Sequence, residues 1–335
     1  MGVLNIFCAS GGGSKGAFQG GALEALTRSG IHIDGLVGVS TGSIQAGYMS
    51  LARPGLEPQW QQLLLLKDLW FSIRSASDIY SQPALGYVSL AYRVLRGEPS
   101  LFDLDPLKRL LEANVRSEPR RPLRLGVVHL DSGEFRAWQP TDAPSLQTAI
   151  LASASIPFAF PPVNDGLVDG GVREIAPLAS AFDMAAEFRK LKSFDPLNDS
   201  VRIFLALASP IQVEAKGRGS WERIGALEVA LRSLEILEGE NYYWDLHGAK
   251  MMNELVRFFD ERPHYERPAI LQKKMHADLI VIEPSHTPYS ALEFDPLKIR
   301  GYWQHGVERT LEVLEKKLPK LAGGINTRKQ LGKAA

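Results

Sequence analysis

Cysteine is nearly absent: Cys8 is the one thiol in 335 residues. It sits in the apolar run "VLNIFCA", so the chain offers neither a disulfide framework nor a thiolate cluster for a metal. A charge excess of either sign is also missing. Lys plus Arg and Asp plus Glu each number 38, which leaves no basic surplus for nucleic acid or for strong attraction to an anionic membrane. No apolar stretch approaches the roughly 18 residues that a membrane span requires. The best, "QQLLLLKDLWF", is interrupted by Lys67 and Asp68. The opening "MGVLNIFCAS" lacks the basic segment of a signal peptide, and Ile6 stands where a myristoylation motif after Gly2 needs Ser or Thr. Internal repeats and low-complexity linkers are missing too. The absences predict a cytoplasmic protein with at most peripheral, local lipid contact, no metal or cofactor, and no nucleic-acid partner.

What is present is a hydrophobic content of 45% with 23% charged residues, ordinary for a chain with a substantial buried core. Residues 3 to 9 form a continuous apolar run, as expected of a strand buried on both faces. Phe18, Ala22, Ala25 and Leu26 then recur at helical spacing until Gly30. A second apolar run at 34 to 39 is followed by the helical "TGSIQAGYMSLA". Strand, helix, strand, helix predicts a parallel sheet covered by helices.

From about 56 to 116 the pattern becomes helical and aromatic, with Trp60, Trp70, Phe71, Tyr80, Tyr87 and Tyr92. It reads as a helical insertion that serves as core or covers a groove. "LRLGVVHLDSGEFRAW" has two alternating runs around Asp131-Ser132-Gly133, a hairpin signal. "SLQTAILASASIP" is a short helix ended by Pro157, and "VRIFLALAS" and "ADLIVIEP" are further buried strands flanking a long helical region. A terminal amphipathic helix carries the single α/β domain to residue 318, and residues 319 to 335 form a basic tail.

Gly38-Val39-Ser40-Thr41-Gly42 follows a buried strand and opens a helix. That is the context of a nucleophile elbow, in which a strained turn exposes the serine oxygen and small neighbours permit the backbone angles. A helix-capping serine is the plain alternative. Gly11, Gly13 and Gly16 satisfy G-x-G-x-x-G after the first strand, with Asp34 downstream at the spacing of a ribose-binding acid, so a dinucleotide site competes. The other reading uses the amides of Gly11, Gly12 and Gly13, at the positive end of the next helix, to bind an oxyanion. Both loops follow sequential strands and should open on the carboxyl edge of one sheet, where α/β sites form. A serine elbow beside a cradle of amides suits acyl transfer. For a base, Asp169 before Gly170-Gly171 is the best carboxylate, with a plain β-turn as its bland alternative. His286 and His305 follow it in the order a hydrolase triad would need.

Four segments together resemble the patatin-like phospholipase family: Gly11-Gly12-Gly13-Ser14-Lys15-Gly16, Gly38-Val39-Ser40-Thr41-Gly42, "LASASIPFAFPPV" at 151 to 163, and Asp169-Gly170-Gly171 with Pro177 downstream. The similarity runs from the N-terminus to about residue 180. One departure is "VREIAP", where many members carry Asn between the Asp-Gly-Gly and the proline. The resemblance implies a three-layer α/β/α fold with a mostly parallel sheet. It implies a Ser40–Asp169 dyad, and an oxyanion hole from the glycine-run amides aided by that of Thr41. Lys15, Gly16, Gly38, Gly42, Gly170 and Gly171 would support these motifs. It implies metal-free hydrolysis of phospholipids or other fatty-acyl esters. A nucleotide-binding protein and a catalytically silent scaffold of the same fold remain the alternatives.

Overall fold

The computed structural model describes residues 2–81, 96–191, 193–195, 198–212, 226–286 and 289–319. Strand β1 (Val3–Ala9) passes through a 3-10 turn, Gly13–Gly16, into helix α1 (Ala17–Arg28). Strand β2 (Gly35–Val39) runs into α2 (Thr41–Ser50), followed by α3 (Leu56–Ser72) and α4 (Asp105–Asn114). Next come β3 (Leu123–His129), β4 (Glu134–Trp138), α5 (Leu146–Ser153), the short β5 (Leu167–Asp169) and α6 (Leu178–Phe188). Strand β6 (Ser200–Ala206), the long α7 (Ala226–Asp260), β7 (Asp278–Ile282) and α8 (Pro296–Lys317) complete the order.

The sheet runs β4-β3-β2-β1-β6-β7, with β5 also paired to β3. The pairings of β3, β2, β1, β6 and β7 are parallel, whereas β4 and β5 lie antiparallel to β3. Strict alternation in β1 builds two cores. Phe7 and Ala9 face one side with Phe18, Met49, Leu63 and Trp303, from α1, α2, α3 and α8. Ile6 and Cys8 face the other with Phe182, Tyr242 and Leu246, from α6 and α7. The expected three-layer α/β/α architecture is therefore present, and Cys8 is a buried core thiol whose pKa burial pushes up.

The expected insertion holds α3 and α4, with Trp70 and Tyr80 buried and Trp60 and Phe71 packed against them. Tyr87, Tyr92 and the basic tail from residue 320 lie outside the described residues. No described helix is long and apolar enough to cross a membrane.

Lys67, which breaks the apolar run of α3, is explained by a buried acid. Glu24 of α1 is 3% exposed, and its Oε2 accepts from Lys67 Nζ at 2.8 Å and from Trp303 Nε1 at 2.6 Å. Its other oxygen pairs with Arg28. One carboxylate thus joins α1, α3 and α8. Lys67 and Arg28 reach solvent, so removing the acid strands chiefly the buried Trp303 indole, and Glu24→Ala should lose about 1–3 kcal/mol of stability, read by chemical denaturation. Glu24→Gln, which keeps an acceptor for the indole, should lose less.

Candidate active site

Ser40 occupies the single residue between β2 and α2, with φ 56 and ψ −127. A non-glycine residue in that region is strained and needs surroundings that over-determine it. They do so on each side. A Cβ on Gly38 would stand 2.2 Å from the Gly42 carbonyl oxygen, and one on Gly42 would stand 2.2 Å from that of Ala9. The two outer positions of G-x-S-x-G must therefore be glycine. The Ser40 amide donates to Ser153 Oγ at 2.9 Å, and that hydroxyl donates to the Gly126 carbonyl at 2.7 Å. Ser153, at the end of α5, ties the elbow to β3. No hydrogen bond from the Ser40 side chain caps α2, so the capping alternative is not realised.

The strand register brings in Asp169. Beside β3, β2 ends where Val39 faces Gly126. The next β3 residue, Val127, faces Asp169 of β5. Asp169 thus takes the place in the sheet that β2 vacates when the chain turns at Ser40. Its backbone amide donates to the Ser155 carbonyl at 3.0 Å, and its Oδ1 accepts from the Gly171 amide at 2.7 Å. The Ser40 side chain lies close enough to the same carboxyl to lower its pKa. Asp169 is 4% exposed, and burial pushes its pKa up to about 7 against the lowering effect of the Ser40 side chain and the Gly171 amide, with Glu238 of α7 adding to the rise. Gly170 is required by contact, since a Cβ there would lie 2.6 Å from the Gly126 carbonyl.

The glycine loop differs from expectation at one position. The Gly11 amide donates to the Ile175 carbonyl at 2.9 Å, so it is not a free oxyanion donor. The amides of Gly12, Gly13 and Thr41 have no acceptor among the described residues. Gly12 sits at φ 148, and a Cβ there would stand 2.5 Å from that of Ala208. Thr41 Oγ1 is buried without a partner among the described residues, packed where a Cβ on Gly16 would meet it at 2.2 Å. Lys15 is buried and donates to Ser209 Oγ at 2.9 Å. "VREIAP" supports the site through one main-chain and one side-chain acceptor: the Ile175 carbonyl holds Gly11, and Glu174 Oε1 accepts from the Ala179 amide at 2.9 Å.

The dinucleotide reading fails on geometry. Asp34 precedes β2, at the edge of the sheet opposite Ser40, and its carboxylate takes the Asn5 amide at 2.8 Å and the His32 ring at 3.1 Å. The first amide of the turn after the glycines is also occupied, with Ser14 N donating to the Ala291 carbonyl at 2.8 Å. Neither histidine candidate joins the site. His305 Nε2 accepts from the Ser285 amide at 3.1 Å, Ser285 Oγ lies 3.1 Å from His286 Nδ1, and the two rings sit 4.7 Å apart.

An apolar cavity of about 640 Å³, counted out into open solvent, has Gly13, Ser40 and Thr41 in its wall. Its walls also include Trp70 of α3, Ile73 after it, Leu104 and Leu107 near α4, Phe160, and Leu292 before α8. The insertion is therefore both core and cavity wall. Among the described residues no group of three His, Cys, Asp or Glu is arranged to hold a metal.

No curated protein matches the chain in sequence. Among solved structures, VipD from Legionella pneumophila is 13% identical with a TM-score of 0.38, over 93% of this chain and 67% of that one. ExoU in its complex with SpcU from Pseudomonas aeruginosa is 16% identical with a TM-score of 0.36, over 95% and 52% of the two chains. Human GIVD cytosolic phospholipase A2, in complex with methyl gamma-linolenyl fluorophosphonate, is 11% identical with a TM-score of 0.37, over 96% and 59%. The chain thus spans about half to two thirds of these proteins. The family model described as patatin-like phospholipase matches residues 7–182, more than half of the 335. With the elbow, the aspartate and the glycine loop all inside that segment, the chain belongs to the patatin-like phospholipase family.

Proposed function

We propose that the protein hydrolyses fatty-acyl esters, phospholipids among them, through a Ser40–Asp169 dyad and a Ser40 acyl-enzyme. The observation that carries the reading is a serine on a strained turn, beside a buried carboxyl with a pKa of about 7, in the wall of an apolar cavity. The acyl chain occupies that cavity. Phe158, 76% exposed at φ 67, lies between the wall residues Ile156 and Phe160, and the lipid surface meets the molecule there.

Asp169 accepts the Ser40 proton as Oγ attacks the ester carbonyl. The amides of Gly12, Gly13 and Thr41, with the unpartnered Thr41 hydroxyl, stabilise the oxyanion. Collapse breaks the ester C–O bond, and Asp169 returns the proton to the departing alcohol or lysolipid. Water then gives a proton to Asp169 as it attacks the acyl-enzyme, and collapse returns that proton to Ser40 as the fatty acid leaves. A carboxylate is ordinarily a weak base for a hydroxyl. Burial that lifts Asp169 to about 7 brings it nearer the range where general bases work best.

A fluorophosphonate should label Ser40, and Ser40→Ala should abolish both labelling and ester hydrolysis while the fold survives. Label on another residue, or in the variant, overturns the nucleophile. Asp169→Asn should lower turnover by at least about 100-fold, while Asn at His286 or His305 should change it little. A dead histidine variant beside an active Asp169→Asn overturns the dyad. Because only ionised Asp169 accepts a proton, kcat/KM should rise with pH through about 7.

The same shift makes a stability prediction of definite sign. The Asp169 pKa is raised from 3.8 to about 7 on folding, so its favourable contribution is present below the unfolded value and is lost as pH rises through the folded one. Asp169→Asn removes that loss. Its melting temperature relative to the native protein should be higher at about pH 8 than at about pH 4; a difference independent of pH contradicts the shift.

A further inference from the structure

The Gly11 carbonyl is held from the far side of the chain. Tyr242 on α7 is 1% exposed, and its hydroxyl donates to the Gly11 oxygen at 2.6 Å. Ser10 Oγ donates to the same oxygen at 3.0 Å and lies 3.0 Å from the phenol oxygen. Ser10 is fixed in turn, accepting from the Ala208 amide at 2.9 Å and from Gln19 Nε2 at 3.2 Å. The other face of Gly11 is held through the same helix. Asp245, three residues after Tyr242, accepts from the Ala176 amide at 2.9 Å, next to the Ile175 carbonyl that takes the Gly11 amide at 2.9 Å.

A trans peptide is planar, and its C=O and N–H point in opposite directions. Fixing the Gly11 oxygen toward Tyr242 therefore fixes the Gly12 N–H away from it. Between two glycines a peptide rotates with little steric opposition. Turned over, it would aim a carbonyl where a donor is needed. We propose that Tyr242 is a positioning residue for hydrolysis: its phenol locks the Gly11–Gly12 peptide so that the Gly12 amide faces the developing oxyanion. The proposal rests on the Ser40 acyl-enzyme reading. Burial and the charge of Glu238 push the phenol pKa well above its ordinary value, so the donor stays protonated throughout the working range.

Tyr242→Phe keeps the ring in the core and removes only the hydroxyl. One oxyanion donor is typically worth about 100- to 1000-fold in rate, and a peptide freed to turn retains part of that. The expected result is a fall of at least about tenfold in kcat for a short-chain ester with KM unchanged. An alkyl trifluoromethyl ketone, which forms a tetrahedral adduct on the serine, should lose affinity by a similar factor. A hydroxyl that served packing alone would lower stability and leave both quantities in place. The proposal is overturned if folded Tyr242→Phe keeps kcat within about twofold of the native protein, if the loss falls on KM, or if ketone affinity is unchanged. Should Tyr242→Phe not fold, Ser10→Ala removes the second donor to the same oxygen and should show the same split, more weakly; its absence overturns the lock. Ser40→Ala separates the two readings. If it remains active the nucleophile assignment fails, whereas a dead Ser40→Ala beside an unaffected Tyr242→Phe sinks only the role of Tyr242.

Discussion

The site depends on the exchange of one strand for another beside β3. Strand β2 pairs with β3 up to Val39 and Gly126, then leaves the sheet at Ser40; β5 enters at once, with Asp169 facing Val127. Serine and aspartate therefore come together through main-chain register, which tolerates little slippage because a shift of one residue reverses every side chain. The end of α5 secures both partners. Ser153 holds the Ser40 amide and the Gly126 carbonyl, while the Ser155 carbonyl holds the Asp169 amide. The apparently repetitive "SASIP" is thus a clamp across the junction.

Strain at Ser40 is kept by packing that leaves no relaxed alternative. A side chain at Gly38 or Gly42 would collide with main-chain oxygen, so the elbow is held by backbone rather than by movable side chains. Rigidity of this kind matters more for a dyad than for a triad. In the proposed dyad, with no imidazole to swing between serine and leaving group, one carboxylate would serve each proton transfer, and geometry must be correct at the outset. The glycine loop is restrained in the same manner by bonds to Ile175, Tyr242 and Ser10.

Features that depend on neighbours in sequence were legible before the structure. The apolar runs became β1, β2, β6 and β7, the Asp131-Ser132-Gly133 turn joined β3 to β4, and the glycines around Ser40 marked a strand-turn-helix context. What could not be read lay in pairs distant along the chain. Gly11 meets Ile175 and Tyr242, and Lys15 meets Ser209, with no local pattern that announces any of them. Gly11 was expected as an oxyanion donor because its spacing is that of the loop; only the position of Ile175 removes its amide. Asp34 is the converse case, since its distance from the glycines suits a ribose acid while its place before β2 does not. Spacing reports separation along the chain and is silent about which end of a strand a side chain occupies.

Burial of Asp169 has two consequences that pull in opposite directions. Removing a carboxylate from water disfavours its ionised form, which weakens the fold wherever the group must be charged. The same desolvation makes the ionised form a stronger base, which helps it take a proton from a hydroxyl. The partial compensation by Ser40 and the Gly171 amide matters here: it leaves the pKa at about 7 instead of higher, so a useful fraction stays ionised near neutrality. A carboxylate so placed titrates where imidazole normally does. On the proposed dyad, a rise in activity through neutral pH, usually read as histidine, would therefore be as much the mark of this aspartate, and substitution of Asp169 itself distinguishes the two.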